Sequence, residues 1–256
     1  MKIHLIYFSP TGTTKTIVNN IAKGIGGDVF RYDVTTDSEG AELNLEGGIA
    51  VFGVPVYAGR VPVIFAERIK KVKSEGIPAV VVGVYGNREY EDALVELRDI
   101  VSDAGFRVIG GGAFIGEHSY STDEKPIAKS RPDSTDCLKA EKLGKSIRKK
   151  LENGDLSTPE IEGNVPYKER MGIKGATPLT KDKLCISCGV CVKSCPTDVI
   201  TLSPKAVSNH ENCIMCCACV KKCPLNARYV DHPGVLERVE LLFKNCSARK
   251  EPVVFL

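Results

Sequence analysis

Residues 2–25 read KIHLIYFSPTGTTKTIVNNIAKGI. A run that is apolar at nearly every position, residues 3–8, gives way to Ser9-Pro10-Thr11-Gly12-Thr13-Thr14 and then to apolar residues at helical spacing over 13–25. This is the pattern of a strand buried on both faces, a tight loop and an amphipathic helix. The alternation continues outward: runs at 29–34, 49–54, 79–85 and 107–115 read as strands, and segments 63–73, 89–104 and 136–151 carry helical periodicity. Repeated strand–helix units with short connections predict an α/β fold, a doubly wound five-stranded parallel sheet with helices on both faces, over residues 1–153. The connection after Ile115 runs for roughly twenty residues, a length that compact domains usually keep for function.

The loop that ends the first strand suits an anion. A helix N-terminus aims free N–H groups at whatever lies in the turn, and its dipole favours negative charge there. Ser9, Thr11, Thr13 and Thr14 add neutral hydroxyl donors, and Gly12 allows close backbone approach, so a phosphate monoester fits. A Walker loop would need Gly before the lysine, where Thr14 precedes Lys15, and a dinucleotide loop would need Gly-x-Gly-x-x-Gly, which is absent. The plainer reading is a hydroxyl-rich turn that caps the helix.

The chain has 256 residues, 43% hydrophobic and 26% charged, a composition that excludes a disordered or fibrous protein. A formal charge of +3 supplies no broad basic field, which argues against nucleic acid as a partner. No apolar stretch reaches the ~18 residues of a membrane span, and the first ten residues lack a signal-peptide core. A cytoplasmic location is expected, and there clustered cysteines bind metal more often than they form disulfides.

Ten of the eleven cysteines follow residue 180. After a proline- and glycine-containing stretch read as a linker, 154–178, the segment 179–230 carries Cys185-Ile-Ser-Cys188-Gly-Val-Cys191-Val-Lys-Ser-Cys195-Pro196 and, 28 residues on, Cys213-Ile-Met-Cys216-Cys217-Ala-Cys219-Val-Lys-Lys-Cys223-Pro224. Each half has the C-x-x-C-x-x-C-x-x-x-C-P spacing that holds 4Fe-4S cubanes, the fourth cysteine serving the other cluster. Cys185, Cys188, Cys191 and Cys223 would hold one cluster, and Cys213, Cys216, Cys219 and Cys195 the second. Zinc is the competing metal, but its closed tetrahedral sites do not need eight cysteines at this spacing. Cys217 stands where the first half has Gly189 and reads as a small buried filler, with cluster rearrangement or oxidation as the other option. Cys137 and Cys246 have no ligand pattern around them. Seven Lys and Arg against three Asp and Glu over 180–230 leave the protein part positive, with Lys193, Lys221 and Lys222 near the ligands. Residues 231–256 read as a tail that packs back on one of the domains.

The cysteine segment resembles bacterial-type two-cluster ferredoxins, which implies a small α+β domain and electron transfer. The first-strand loop and its fold resemble flavodoxin, which implies FMN. On that likeness Ser9, Thr11, Gly12, Thr13 and Thr14 would bind its phosphate. Pro55, Val56, Tyr57, Ala58 and Gly59, after the third strand, would enclose the ring with Tyr57 against it. Tyr85, Gly86, Asn87, Arg88 and Tyr90, after the fourth, would form the opposite wall. The chain lacks the tryptophan that many flavodoxins place on the flavin. As a whole it resembles the flavodoxin–ferredoxin fusion proteins of anaerobic bacteria and archaea. His118 stands in a loop that also resembles that family, either as a contact to flavin or substrate or as an ordinary loop residue. The resemblance implies an oxidoreductase-type electron carrier in anaerobic metabolism that couples one-electron and two-electron partners through FMN and two 4Fe-4S clusters, with a ferredoxin-linked oxidoreductase as redox partner. The alternatives are a flavin-dependent reductase of a small acceptor (quinone, nitro compound or oxygen) and a redox-sensing iron-sulfur protein. Oligomeric state, a homodimer included, is left open.

Overall fold

The computed structural model describes all residues of the chain except Ser38, Ala41 and, within the segment expected as a linker, Lys174. In chain order it forms β1 (Lys2–Tyr7), α1 (Thr13–Ile25), β2 (Asp28–Asp33), β3 (Leu43–Leu45), β4 (Ile49–Pro55), α2 (Val63–Arg68), β5 (Val72–Ser74), β6 (Pro78–Tyr85), α3 (Ala93–Asp103), β7 (Arg107–Ile115) and α4 (Ser134–Glu152). Then follow β8 (Leu179–Thr180), α5 (Val190–Lys193), β9 (Ile200–Leu202), β10 (Ala206–Ser208), α6 (Ala218–Lys221), β11 (Arg228–Tyr229), α7 (Pro233–Asn245) and β12 (Val253–Phe255).

The large sheet has the order β12-β7-β6-β4-β1-β2, and β2, β1, β4, β6 and β7 are parallel throughout. Counting only these five, the order is 2-1-3-4-5, the flavodoxin-like order, with its switch point between β1 and β4. Strand periodicity divides the side chains between two cores. Ala50, Phe52 and Val54 of β4 face one core with Phe65 and Leu94, while Ile49 and Val51 face the other with Ile17, Ile21, Leu143 and Ile147. Helices α1 and α4 meet where Gly24 and Gly144 lack side chains: a Cβ on Gly144 would fall 2.1 Å from the Ile21 carbonyl oxygen.

The sheet has six strands, not the expected five. The sixth, β12, pairs antiparallel with β7, Val253 opposite Ala113, and covers an edge that would otherwise present free backbone groups. Its three residues are too few to read as a strand without their partner. Helix α2 stops at Arg68 rather than running to residue 73, because Val72–Ser74 turns into β5 and pairs with β3. Helix α3 begins at Ala93 rather than 89: Glu91 adopts φ 45°, and the Asp92 carboxylate is taken by the Asn164 and Lys168 N–H groups at 2.8 and 2.7 Å.

Those bonds belong to the segment expected as a linker, whose residues 161–173 lie against the sheet domain as a bound strap. Ile161 is buried in its core, Tyr167 Oη donates to Asp99 at 2.5 Å, and Arg170 reaches Glu96 at 2.5 Å. Beyond the strap, β8 pairs with β11 and β9 with β10, each antiparallel, around the one-turn helices α5 and α6.

Candidate functional site

At the end of β1 the chain is held by Phe8 N–H on the Gly53 carbonyl, 3.0 Å, and by Ser9 N–H on Thr35 Oγ1, 2.8 Å. Gly12 then takes φ 93°, a left-handed conformation, and starts α1 as its N-cap without a side chain. Ser9 Oγ accepts from Lys15 N–H at 3.0 Å, so it satisfies one orphan donor of the first turn. Thr14 is fully buried, and its Oγ1 has no hydrogen-bond partner among the described residues. A buried hydroxyl left unmatched at a helix N-terminus fits an anion that would complete it, and the phosphate of FMN has that chemistry.

A cavity of about 270 Å³ opens at the carboxyl ends of β1, β4, β6 and β7. Of the residues expected there, Thr11, Thr13, Pro55, Val56, Tyr57, Ala58, Tyr85, Gly86 and Arg88 line it. Ser9, Gly12 and Thr14 form the loop behind its wall. Three others turn away. Gly59 packs on Glu91, Asn87 donates its amide to the carbonyls of Cys246 and Ala248 at 2.6 and 2.8 Å, and Tyr90 joins the core beside Tyr85, ring centroids 5.7 Å apart. Asn87 and Tyr90 therefore hold the loop in place rather than form the opposite wall.

That wall comes from elsewhere. His118 and Tyr120 descend from the long loop after β7, residues 171–173 from the strap, and Arg238 and Leu242 from α7. The remainder is residues 213–216, which include two of the predicted cluster ligands, Cys213 and Cys216. Nothing in the local sequence marks the strap or α7 as cavity wall. Gly86 makes room for the histidine, since a Cβ there would lie 2.2 Å from the His118 ring. His118 Nδ1 is 3.1 Å from the backbone N–H of Tyr120 and accepts from it, so the neutral ring carries its proton on Nε2. Burial first, then the charges of Arg88, Lys221 and Arg238, hold its pKa down to about 4. Burial, with the neighbouring Cys216 and Cys217, pushes the Tyr57 hydroxyl well above its ordinary value. Lys221 closes the seam between the two parts by bonding Glu117 at 2.6 Å and the Ser121 carbonyl at 2.7 Å.

The two halves of the cysteine motif exchange their fourth members. One cavity is lined by Cys185, Cys188, Cys191 and Cys223, and another by Cys195, Cys213, Cys216 and Cys219 together with Cys217. Each cavity has in its lining the four cysteines that the spacing rule would give to one cluster. Among the described residues no three His, Cys, Asp or Glu side chains close on a single-ion site; each quartet surrounds a cavity instead. In each half the second cysteine is followed by a left-handed residue, Gly189 at φ 76° and Cys217 at φ 56°, that starts the one-turn helix carrying the third. Cys217 is buried among Met215, Val235 and Val239, and its Sγ lies 3.6 Å from the Met215 carbonyl oxygen. Backbone N–H groups of Ala206 and Ser187 lower the Cys185 thiol pKa, while burial pushes Cys216 up to about 12, so its thiolate needs a metal's positive charge.

A family model described as a 4Fe-4S dicluster domain matches residues 177–224. Among solved structures, a flavodoxin from the domain Archaea is 16% identical, with 59% of this chain and 99% of that one covered and a TM-score of 0.43. A flavodoxin of Streptococcus pneumonia TIGR4 gives 18%, 59% and 99%, with 0.41. Rubredoxin oxygen:oxidoreductase from the anaerobe Desulfovibrio gigas gives 13%, 59% and 36%, with 0.40. No curated protein matches the chain. The dicluster match supports a redox, electron-transfer role for residues 177–224, and the strand order and switch-point cavity are those of a flavodoxin-like fold. In architecture the chain is a doubly wound α/β fold of flavodoxin-like strand order, followed by a segment that matches a 4Fe-4S dicluster model and closed by a strand that returns to the first sheet. Among the described residues no helix is long and apolar enough to cross a membrane.

Proposed function

We propose that this chain carries electrons between an external redox protein and FMN through two 4Fe-4S clusters in the same polypeptide. The observation that supports this reading is the shared cavity: Thr11, Tyr57 and Gly86 of the flavodoxin-like part and Cys213 and Cys216 of the second quartet line one space. Bound FMN would supply the ability to store two electrons and release them singly or as a pair.

The loop 9–14 would hold the phosphate through the first-turn N–H groups and the Thr11 and Thr14 hydroxyls. Tyr57 and Gly86 would line the ring's part of the cavity, and His118 would offer an Nε2–H there. The second quartet stands between the flavin and the first, whose Cys188 is exposed beside Leu184, Ile186 and Leu225, large apolar residues open to solvent. A redox protein such as a ferredoxin-linked oxidoreductase docks there. Full reduction of one FMN would consume two one-electron donors, with the accompanying protons taken from water.

The wall made by 171–173 and 213–216 covers the side of the cavity from which a small acceptor would stack, which favours a carrier over a reductase of quinones, nitro compounds or oxygen. Domain limits of 1–153, 154–178, 179–230 and 231–256 go with this reading. Protein purified without air should contain about eight iron, eight sulfide and one FMN per chain. After rapid mixing with a low-potential one-electron donor, cluster bleaching should precede flavin bleaching. Reduced clusters that never pass electrons to flavin would replace this reading with a sensor, and fast turnover of a quinone would replace it with a reductase.

A further inference from the structure

The 28-residue repeat places Arg228 where the first half has Ile200. The structure preserves that equivalence. Ile200 lines the cavity of Cys195, Cys213, Cys216 and Cys219, and Arg228 lines the cavity of Cys185, Cys188, Cys191 and Cys223. Both are buried, at 4% and 3% exposure, so a cation occupies in one half the place an apolar side chain fills in the other.

The guanidinium has no anion of its own. Nη1 donates to Thr180 Oγ1 at 2.5 Å and to the Ala206 carbonyl at 3.3 Å. Nη2 donates to the Pro178 carbonyl at 2.8 Å and to Ser208 Oγ, and lies 3.9 Å from Cys219 Sγ. Every oxygen in that set is neutral. Among the described residues no carboxylate stands within ion-pair distance of Arg228, and its Nε is buried without a partner. Arginine does not shed its proton in a protein, and an uncompensated buried charge is strongly unfavourable. The anions within reach are the two cysteine quartets. Arg228 lines the cavity of the first quartet, and its Nη2 stands 3.9 Å from Cys219 Sγ of the second.

We propose that Arg228 is the shared counter-cation of the two clusters, a positioning residue whose fixed charge between them raises both reduction potentials. The proposal rests on the two-cluster reading above. Reduction adds negative charge to a cluster, and a fixed cation in a dry site stabilises the reduced form more than the oxidised one. One residue then lifts the whole relay together, keeping the step between clusters small while making both easier to reduce.

The test is a potentiometric titration of the full chain followed by electron paramagnetic resonance. In Arg228→Gln, with iron content unchanged, both midpoint potentials should fall; in Arg228→Lys, which keeps the charge, they should stay near those of the unaltered protein. If Arg228→Gln does not assemble its clusters, Ser208→Asp gives a second route. It leaves Arg228 in place and sets a carboxylate at Nη2, so the same fall is expected, while Asn209→Asp, the same charge one residue along on the surface, should leave the potentials unmoved. Unchanged potentials in a fully loaded Arg228→Gln or Ser208→Asp chain, or an equal fall in the Asn209→Asp control, would overturn the proposal. A chain that takes up no clusters in any form would defeat the two-cluster reading instead.

Discussion

Arg68, at the end of α2, donates from Nη2 to the carbonyl of Pro196, 2.5 Å away, the residue that follows the fourth cysteine of the first motif half. Its Nη1 binds the Val34 and Thr35 carbonyls at 2.9 and 2.7 Å, next to the loop that receives Ser9 N–H. One buried side chain thus ties the end of the edge strand β2 to the cluster module. Replacing it with alanine strands three carbonyls, and each buried unsatisfied group costs about 1–3 kcal/mol when no water substitutes. For Arg68→Ala we expect unfolding to come at lower urea, by about 2–4 kcal/mol, with iron retained and flavin reduction by the clusters slowed. Urea denaturation and stopped-flow absorbance measure the two effects; a variant unchanged in both would show that Arg68 does not hold the parts together.

Much of this architecture was legible because it is local. Apolar runs such as 49–54 announce strands buried on both faces, and α1 begins and ends at the residues that its spacing implies. The dicluster motif was legible too, since its spacing is local and residues 177–224 match a 4Fe-4S dicluster model; the crossed assignment of the fourth cysteines is what the spacing rule expects. What escaped was long-range. That residues 213–216 complete the wall of the switch-point cavity depends on how two modules dock, which no local pattern encodes. Asn87 and Tyr90 lie in the expected loop but spend their side chains on the C-terminal segment and the core. Arg228 looked like one more basic residue until its fold placed it opposite Ile200 across the repeat.

The Thr14 hydroxyl offers a clean separation of binding from folding. It is buried and lacks a partner, so Thr14→Val removes a desolvated group at little or no cost to the flavin-free protein. A hydrogen bond to a charged group is worth about 1.5–3 kcal/mol, so FMN affinity should fall by about tenfold or more. Adding Thr11→Val should deepen the loss while iron content stays constant. Flavin fluorescence titration measures affinity, and undiminished binding in the double variant would remove the phosphate from this loop.

His118 should make stability pH-dependent. Its ring titrates near 4 in the folded chain, because of burial and three nearby cations, against an ordinary 6.5. Between these values the unfolded chain binds the proton and the folded chain does not, so stability rises with pH through that window and is lost as pH falls. The difference amounts to about 2 kcal/mol between pH 8 and pH 5. His118→Gln, which cannot take up that proton, should show a flatter profile by about this amount. Urea melts of both proteins at the two pH values measure it; parallel profiles would mean that the His118 ring is not held neutral by its surroundings.

The exchange of fourth cysteines gives the quartets distinct fingerprints. Cys223 lies in the second half of the motif but lines the first cavity with exposed Cys188, and Cys195 does the reverse with buried Cys216. Replacing either Cys188 or Cys223 with alanine should therefore give the same loss, about half the iron, although the two stand in different motif halves. Cys195→Ala and Cys216→Ala should likewise match each other. The functional outcomes should differ between the pairs. Without the second quartet the flavin loses its neighbouring cluster, so reduction of FMN by a protein donor should stop while the first cluster still bleaches. Without the first, a small diffusible donor should still reach the second cluster and reduce the flavin, and only the protein donor should fail. Iron analysis with stopped-flow spectra of the four variants reads both patterns. Pairing by motif half, with Cys188 matching Cys195, would mean that each half closes its own site and that the crossed arrangement around these two cavities is wrong.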